Sequence, residues 1–401
     1  MKTLVMVSTF ILVSSQAFGY SFSEAVKRIE THEAVESLNQ MAGALTEKGS
    51  VNGSWGDPMI KLAAKNFPKD SLKDDETPMT GIEVGLSQKV ALTTKYGNTQ
   101  DAFESLGQAK RHEAGDKKKS LVVSFWKIVI EQKRLGEEIQ IFSENLAWVT
   151  KILKVSKKLY SNGKISQQAL LDIQIRKSEI EAGLSNKEFE LKESQSRLGY
   201  LLDLEGELDL QTVPWRLVEG PNTEKIDLKE LSLESKLKAS KHMVTAAKQS
   251  FVPDMTFSVG YTKRSNIDNR GDFVSAAVVF PLPISGKKYA GHSKAVHERA
   301  AAESLLRNYR RMKNSRERAL EHSISRIENE LKILNQKTIK FAENSRKVTS
   351  KSYGYGRSSY VELLQSELKL QSLLLKRSRL DANLIIKKLE KRYLVGERLY
   401  E

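Results

Sequence analysis

Lys154-Val155-Ser156-Lys157-Lys158-Leu159-Tyr160-Ser161-Asn162-Gly163-Lys164-Ile165-Ser166 leads into Gln167-Gln168-Ala169-Leu170-Leu171, and the pattern returns further along the chain. There Lys347-Val348-Thr349-Ser350-Lys351-Ser352-Tyr353-Gly354-Tyr355-Gly356-Arg357-Ser358-Ser359 leads into Tyr360-Val361-Glu362-Leu363-Leu364. An offset of 193 positions holds without a gap, keeping Lys, Val, Lys, Tyr, Gly, Ser and Leu-Leu in register and pairing Lys164 with Arg357. Each copy reads as helix, tight turn, helix: Gly163 or Gly356 closes one helix and a serine caps the next. The turn, made twice, reads as the working end of the protein.

Proline placement sets the elements around these turns. Prolines occur at 58, 68, 78, 214, 221, 253, 281 and 283 and are absent from Val84 to Val213 and from Ile284 onward. An internal proline costs a helix about 3 kcal/mol, so the two gaps are where long helices run. Helices are expected over Ser21–Lys48, about Gly97–Tyr160, Gln167–Leu202, Leu228–Gln249, about Ala290–Ser352, and from the second turn to Leu394. Gly107, Gly115 and Gly136 are candidate bends in the second of these. Glu205–Asp227, with Trp215 and two prolines, reads as a non-helical bridge.

Between the helices the period changes to two. Ile60, Leu62 and Ala64 alternate with Met59, Lys61, Ala63 and Lys65, and Ile82, Val84 and Leu86 with Glu83, Gly85 and Ser87. Met255, Phe257, Val259 and Tyr261, then Val274, Ala276, Val278, Phe280 and Leu282, repeat this after the bridge. The alternation predicts strands at about 58–66, 81–90, 254–262 and 273–282, joined by polar loops. Lys95-Tyr96 recurs as Lys288-Tyr289 at the same offset. The domain reading is an internal duplication: a leader at 1–19, repeats at 20–205 and 228–401, and a linker at 206–227.

The first nineteen residues read as an export signal, with Lys2, an apolar core from Leu4 to Val13 and the small-x-small Ala17-Phe18-Gly19. The chain has no cysteine, which excludes disulfides, thiolate metal sites and lipid attachment at a cysteine. The net charge of +15 is spread over helical faces rich in Glu and Asp, a solvated surface and not a nucleic-acid footprint. Later stretches all fall short of the roughly twenty apolar residues a membrane helix needs, so a membrane span would have to be made of strands. Four strands are too few for a closed membrane barrel, which needs about eight. Either several chains pool strands, or the strands form a small soluble domain on a helical stalk. His32, His112, His242, His292, His297 and His322 lack ligand spacing, and nucleophile and phosphate-loop motifs are absent. The reading is not an enzyme, with no cofactor.

The layout resembles the TolC-like outer-membrane efflux proteins, and among them the outer-membrane components of heavy-metal efflux. The resemblance spans the chain after the leader. It rests on Gly56-Asp57-Pro58, Ser87-Gln88-Lys89-Val90, Val252-Pro253-Asp254-Met255, Phe280-Pro281-Leu282-Pro283-Ile284-Ser285-Gly286-Lys287, and Tyr353-x-x-Gly356 through Leu363-Leu364. It implies a mainly α fold with a membrane β-barrel contribution: a homotrimeric α-barrel continued into a twelve-stranded β-barrel held in outer-membrane lipid. It also implies a passive exit duct for a tripartite efflux system, reaching into the periplasm toward a periplasmic adaptor and an inner-membrane pump such as an RND transporter. By the same resemblance Gly163, Gly356, Tyr160 and Tyr353 would be tip residues meeting the adaptor. Arg357, Tyr355, Glu362 and Asp172 would stand at the gate or pore entrance. A duct for type I protein secretion and a non-pore periplasmic coiled-coil scaffold are the alternatives.

Overall fold

The computed structural model describes residues 19–204, 206–220, 225–267 and 269–400, so the expected leader lies outside the described residues except for Gly19. The chain forms two compact units. One comprises Glu33–Asp116 and Leu228–Met312; the other comprises Lys117–Asp227 and Lys313–Glu401 with the chain up to His32. Each draws on both halves of the sequence duplication. Among the described residues no helix is long and apolar enough to cross a membrane.

The first unit carries the strands β1 (Met59–Lys65), β2 (Gly81–Val90), β3 (Met255–Arg264) and β4 (Phe273–Val279), close to the expected spans. They form one antiparallel sheet in the order β1-β2-β3-β4, so β1 and β4 each keep an unpaired edge. Register lines the alternating residues into rows: Ile60, Leu86, Val259 and Ala276 in one, and Leu62, Val84, Tyr261 and Val274 in the next. None of the described residues covers this face: Leu62 is 73% and Val274 76% exposed. On the opposite face Glu83 is buried beneath Lys61 and Lys65, at 3.1 and 2.7 Å. Gly260 makes the room, since a Cβ there would sit 2.7 Å from Glu83 Oε1.

Helices α2 (Glu33–Gly53), α6 (Leu228–Gln249) and the first parts of α3 (Lys95–Ser161) and α7 (Gly286–Ile333) complete this unit. The glycines expected to bend α3 leave it unbroken over 67 residues, a span of about 100 Å at 1.5 Å per residue. Gly107 serves close packing instead: a Cβ there would lie 2.8 Å from Thr46 Oγ1 of α2. At the sheet-to-helix exit, Asp254 receives Lys95 at 2.6 Å, Lys89 at 3.2 Å and the Tyr96 hydroxyl at 3.1 Å. Three stretches that the sequence singled out thus converge on one carboxylate.

The second unit holds α1 (Phe22–Glu30), the rest of α3, α4 (Gln167–Leu202), the short α5 (Arg216–Glu219), the end of α7, α8 (Ile339–Gly354) and α9 (Tyr360–Val395). The single first helix expected over Ser21–Lys48 is in fact α1 and α2, divided at Thr31-His32. The apolar positions change phase there. Phe22, Ala25, Val26 and Ile29 make one buried stripe, and Val35 follows Ile29 by six positions, which a continuous helix would place on different faces. Ser21 and Glu24 form a reciprocal cap that starts α1.

Phe22 packs on Trp126 at 4.8 Å, Trp126 on Trp215 at 5.7 Å, and the buried Trp126 Nε1 donates to the Leu399 carbonyl at 2.9 Å. Bridges Tyr20–Leu208 and Lys225–Glu397 tie the start, the linker and the C-terminal end of the chain into the same clasp. The bridge expected to be non-helical carries, among its described residues, a 3₁₀ turn at Leu210–Thr212 besides α5. The long helix expected from Ala290 to Ser352 carries a π turn at Leu334–Thr338 between α7 and α8. One extra residue in that turn brings Leu334 and Ile339, five apart, into a single cluster with Ala342 and Leu370 of α9.

Candidate functional site: the paired turns and the bundle above them

Both turns are Schellman closures. In the first, Gly163 has φ +67°, its N–H donates to Tyr160 O at 2.9 Å, and the Lys164 N–H donates to Leu159 O at 2.8 Å. In the second, Gly356 has φ +72°, with Gly356 N–H to Tyr353 O at 2.8 Å and Arg357 N–H to Ser352 O at 2.9 Å. A Cβ at either glycine would meet nothing within 4 Å, so within this chain it is the positive φ that demands glycine here.

Ser166 caps α4 by accepting the Ala169 N–H at 3.2 Å, and Ser359 caps α9 by accepting the Glu362 N–H at 3.2 Å. Glu362 closes the box by accepting the Ser359 N–H at 3.3 Å, and it also accepts from the Ser358 hydroxyl. These hydrogen bonds, Ser358 first and the Ser359 amide second, hold the exposed Glu362 carboxyl below its ordinary pKa. Glu362 is thus engaged as a cap.

Just above the turns four helices share one cluster: Ile152 and Leu159 of α3, Ile173 of α4, Tyr353 of α8 and Leu363 of α9. Tyr353 is 1% exposed, which withdraws its side chain from the surface role expected of it. Its hydroxyl lies 2.8 Å from Ser156 Oγ. Ser156 gives its own proton to Ile152 O at 2.9 Å, so Tyr353 is the donor in this buried pair, and burial pushes its phenol pKa up. Its counterpart in the first copy, Tyr160, is 43% exposed, so the duplicated tyrosines have separate fates. Tyr355 is 69% exposed, and Arg357 is exposed with no side-chain partner among the described residues. Asp172 is half-buried on α4; it accepts from Gln168 at 2.9 Å and from the Tyr360 hydroxyl at the start of α9, raising the Tyr360 pKa. Asp172 and Glu362 do not meet in this chain. Each has its own partners.

One cluster was not anticipated. Arg176 of α4 donates through Nε to Glu367 Oε2 at 2.9 Å and through Nη2 to Glu367 Oε1 at 3.3 Å, a bidentate pair between α4 and α9. Gln371 accepts a further bond from Nη2, and Glu179 accepts from Nη1 at 3.1 Å. Glu367 is fully buried and Arg176 is 9% exposed. The signal was in the spacing: Ala169, Ile173, Arg176 and Ile180 form one helical stripe, as do Leu363, Glu367 and Leu370. A charge in the apolar register of each of two helices marks a buried pair. Higher in the bundle Glu138, also fully buried, takes Arg134 at 2.7 Å, Arg379 at 3.3 Å and Lys187 at 3.4 Å.

No family model matches the chain, and no curated protein matches it in sequence. Solved structures do. The outer-membrane protein VceC of Vibrio cholerae aligns with TM-score 0.76 over 94% of this chain and 96% of its own, at 14% identity. The fold is that of the outer-membrane channels. The Neisseria gonorrhoeae channel MtrE, solved in an open state, gives TM-score 0.73 over 94% of this chain and 89% of its own, at 12% identity. The Campylobacter jejuni channel CmeC gives 0.72 over 94% and 86%, at 13% identity. Across the channel fold, the long helices and small sheet correspond along almost the whole chain, although few residues are shared. Among the described residues no group of three or more His, Cys, Asp or Glu is placed to hold a metal ion.

Proposed function

We propose that the chain is the outer-membrane exit duct of a tripartite efflux system, carrying cargo passively from an inner-membrane pump and a periplasmic adaptor. The observation that supports this most is the two-faced sheet. One face is apolar and uncovered, as lipid requires; the other carries the Lys61–Glu83–Lys65 ion pairs, as a wet lumen requires. At a barrel tilt of about 40°, the ten-residue strands β2 and β3 span about 26 Å of the membrane normal, matching the ~25 Å apolar band of an outer-membrane barrel, while the seven-residue β1 and β4 span about 18 Å of it. With β1 and β4 unpaired at their outer edges, three copies joined edge to edge give a closed barrel of twelve strands.

In this reading the two turns of each copy form the periplasmic mouth. Tyr160, Gly163 and Gly356 meet the adaptor, and Tyr353 acts from beneath by holding α8 to α3. Arg357 and Tyr355 are the gate side chains free to reach a neighbouring copy, with Asp172 and Glu362 adding negative charge at the entrance. Opening shifts a pre-existing equilibrium that adaptor binding biases, with no chemistry in this chain. Assignment to heavy-metal efflux rests on the sequence resemblance alone. The test is fractionation followed by reconstitution. The duct reading expects the full chain to stay in outer membranes after a high-salt wash and to conduct in planar bilayers, more so as Arg357→Ala. A chain that washes off and never conducts is a periplasmic scaffold instead.

A further inference from the structure

The apolar alternation of β4 does not stop where its hydrogen bonding stops. The last ladder pair is Thr256–Val279. Beyond it Phe280, Leu282 and Ile284 continue the period of Val274, Ala276 and Val278, 49%, 68% and 84% exposed, with Pro281 and Pro283 between them. Neither proline has an N–H to offer a ladder, so the arm stays extended and unpaired. It runs straight into α7, whose first turn holds Lys287 and Lys288 and no acidic residue. Trp55, before β1 at the same end of the sheet, is 50% exposed. A soluble surface rarely carries three consecutive alternating large apolar side chains this bare, followed directly by two ammonium groups.

We infer that Phe280–Ile284 is a membrane anchor that lies in the headgroup–acyl boundary of the periplasmic leaflet, with Lys287 and Lys288 engaging anionic phospholipid headgroups. The inference rests on the membrane reading of the sheet. Three arguments favour lipid as the occupant. The arm continues the face that reading gives to lipid. At about 3.3 Å per residue it extends some 16 Å past the ladder, which completes the apolar band that the seven-residue β4 leaves short and carries Ile284 into the interface. Its flanking charge is complementary to anionic lipid and not to a cation. Such an arm anchors a chain that has no cysteine for a lipid attachment.

The cysteine-free full chain makes the test clean. Single variants Ile284→Cys, Val278→Cys and Arg307→Cys, each carrying an environment-sensitive fluorophore, are reconstituted in phosphatidylethanolamine–phosphatidylglycerol vesicles containing nitroxide-labelled lipids. Val278 reports insertion of the sheet, and Arg307, 61% exposed and some 30 Å along α7, reports water. The anchor expects headgroup and shallow acyl nitroxides to quench position 284 about threefold more than position 307. It also expects Lys287→Gln with Lys288→Gln to reduce that quenching only when phosphatidylglycerol is present. Strong quenching at 278 with 284 behaving like 307 overturns the anchor and leaves the barrel standing. A blue shift at 284 without lipid quenching means that protein covers the arm, and it also overturns the anchor. Absence of quenching at 278 overturns the membrane reading and the anchor together.

Discussion

Removing Glu367 is the sharpest perturbation of the bundle above the turns. Glu367→Ala leaves Arg176 buried with the neutral Gln371 and with Glu179, which is 58% exposed and so a weak compensator. Breaking one side of a buried pair costs about 3–5 kcal/mol, most of it the uncompensated charge. Through local opening of α4 and α9, that cost accelerates amide exchange roughly 150- to 4000-fold. Hydrogen–deuterium exchange by mass spectrometry on the full chain, following peptides over 169–180 and 360–375, reads it directly. Arg176→Met with Glu367→Met removes both charges while keeping comparable volume, and it should recover to within about 1 kcal/mol of the parent or exceed it. A double variant as loose as Glu367→Ala, or a Glu367→Ala chain with unchanged exchange, would refute the reasoning.

Gly356→Ala should destabilise the second turn by about 1–2 kcal/mol because its φ is positive, whereas Gly354→Ala, two residues earlier in α8 with open space around it, should be neutral or stabilising by thermal melt. Tyr353→Phe should cost about 0.5–1.5 kcal/mol, and Ser156→Ala about 1–3 kcal/mol because it strands the buried Tyr353 donor; chemical denaturation of both single variants and the double checks the order. Glu362 has a depressed pKa in the folded chain, so its cap contributes above the ordinary glutamate pKa and is lost as pH falls through the depressed value. Protection from exchange at the start of α9, taken relative to the intrinsic amide rate at each pH, should therefore fall in acid for the parent and stay constant for Glu362→Gln. On the sheet, Leu62→Lys should abolish stable outer-membrane insertion at a cost of about 2–4 kcal/mol, while Lys61→Leu should not, as read by heat-resistant migration from outer-membrane fractions.

Much of this architecture was legible because it follows from strong local rules. Prolines and the period-two runs bounded the strands to within one to three residues, and the repeated Gly-x-x-Ser pattern located two Schellman closures with serine caps. What the sequence did not disclose depends on neighbours in space. Tyr160 and Tyr353 occupy equivalent places in the duplication, yet only Tyr353 is buried beside Ser156, because no periodicity of α8 records which helix lies across from it. The split at Thr31-His32 was in the apolar spacing but was masked by continuous helix-forming composition. The Arg176–Glu367 pair required reading a charge inside an apolar stripe as a contact, a signal that needs two helices at once. Gly107 of α3 shows the converse: it is small for the sake of Thr46 on α2, a neighbour that the helix's own sequence does not record.

The central claim is that the two faces of the β1–β4 sheet meet lipid and water respectively. Single cysteines placed in turn at residues 59–65 of the cysteine-free full chain, labelled and reconstituted in vesicles, test it residue by residue. The account expects acyl-chain nitroxides to quench 60, 62 and 64 and a water-soluble quencher to reach 61, 63 and 65, a strict alternation of period two. Uniform access by the aqueous quencher along all seven positions would contradict it.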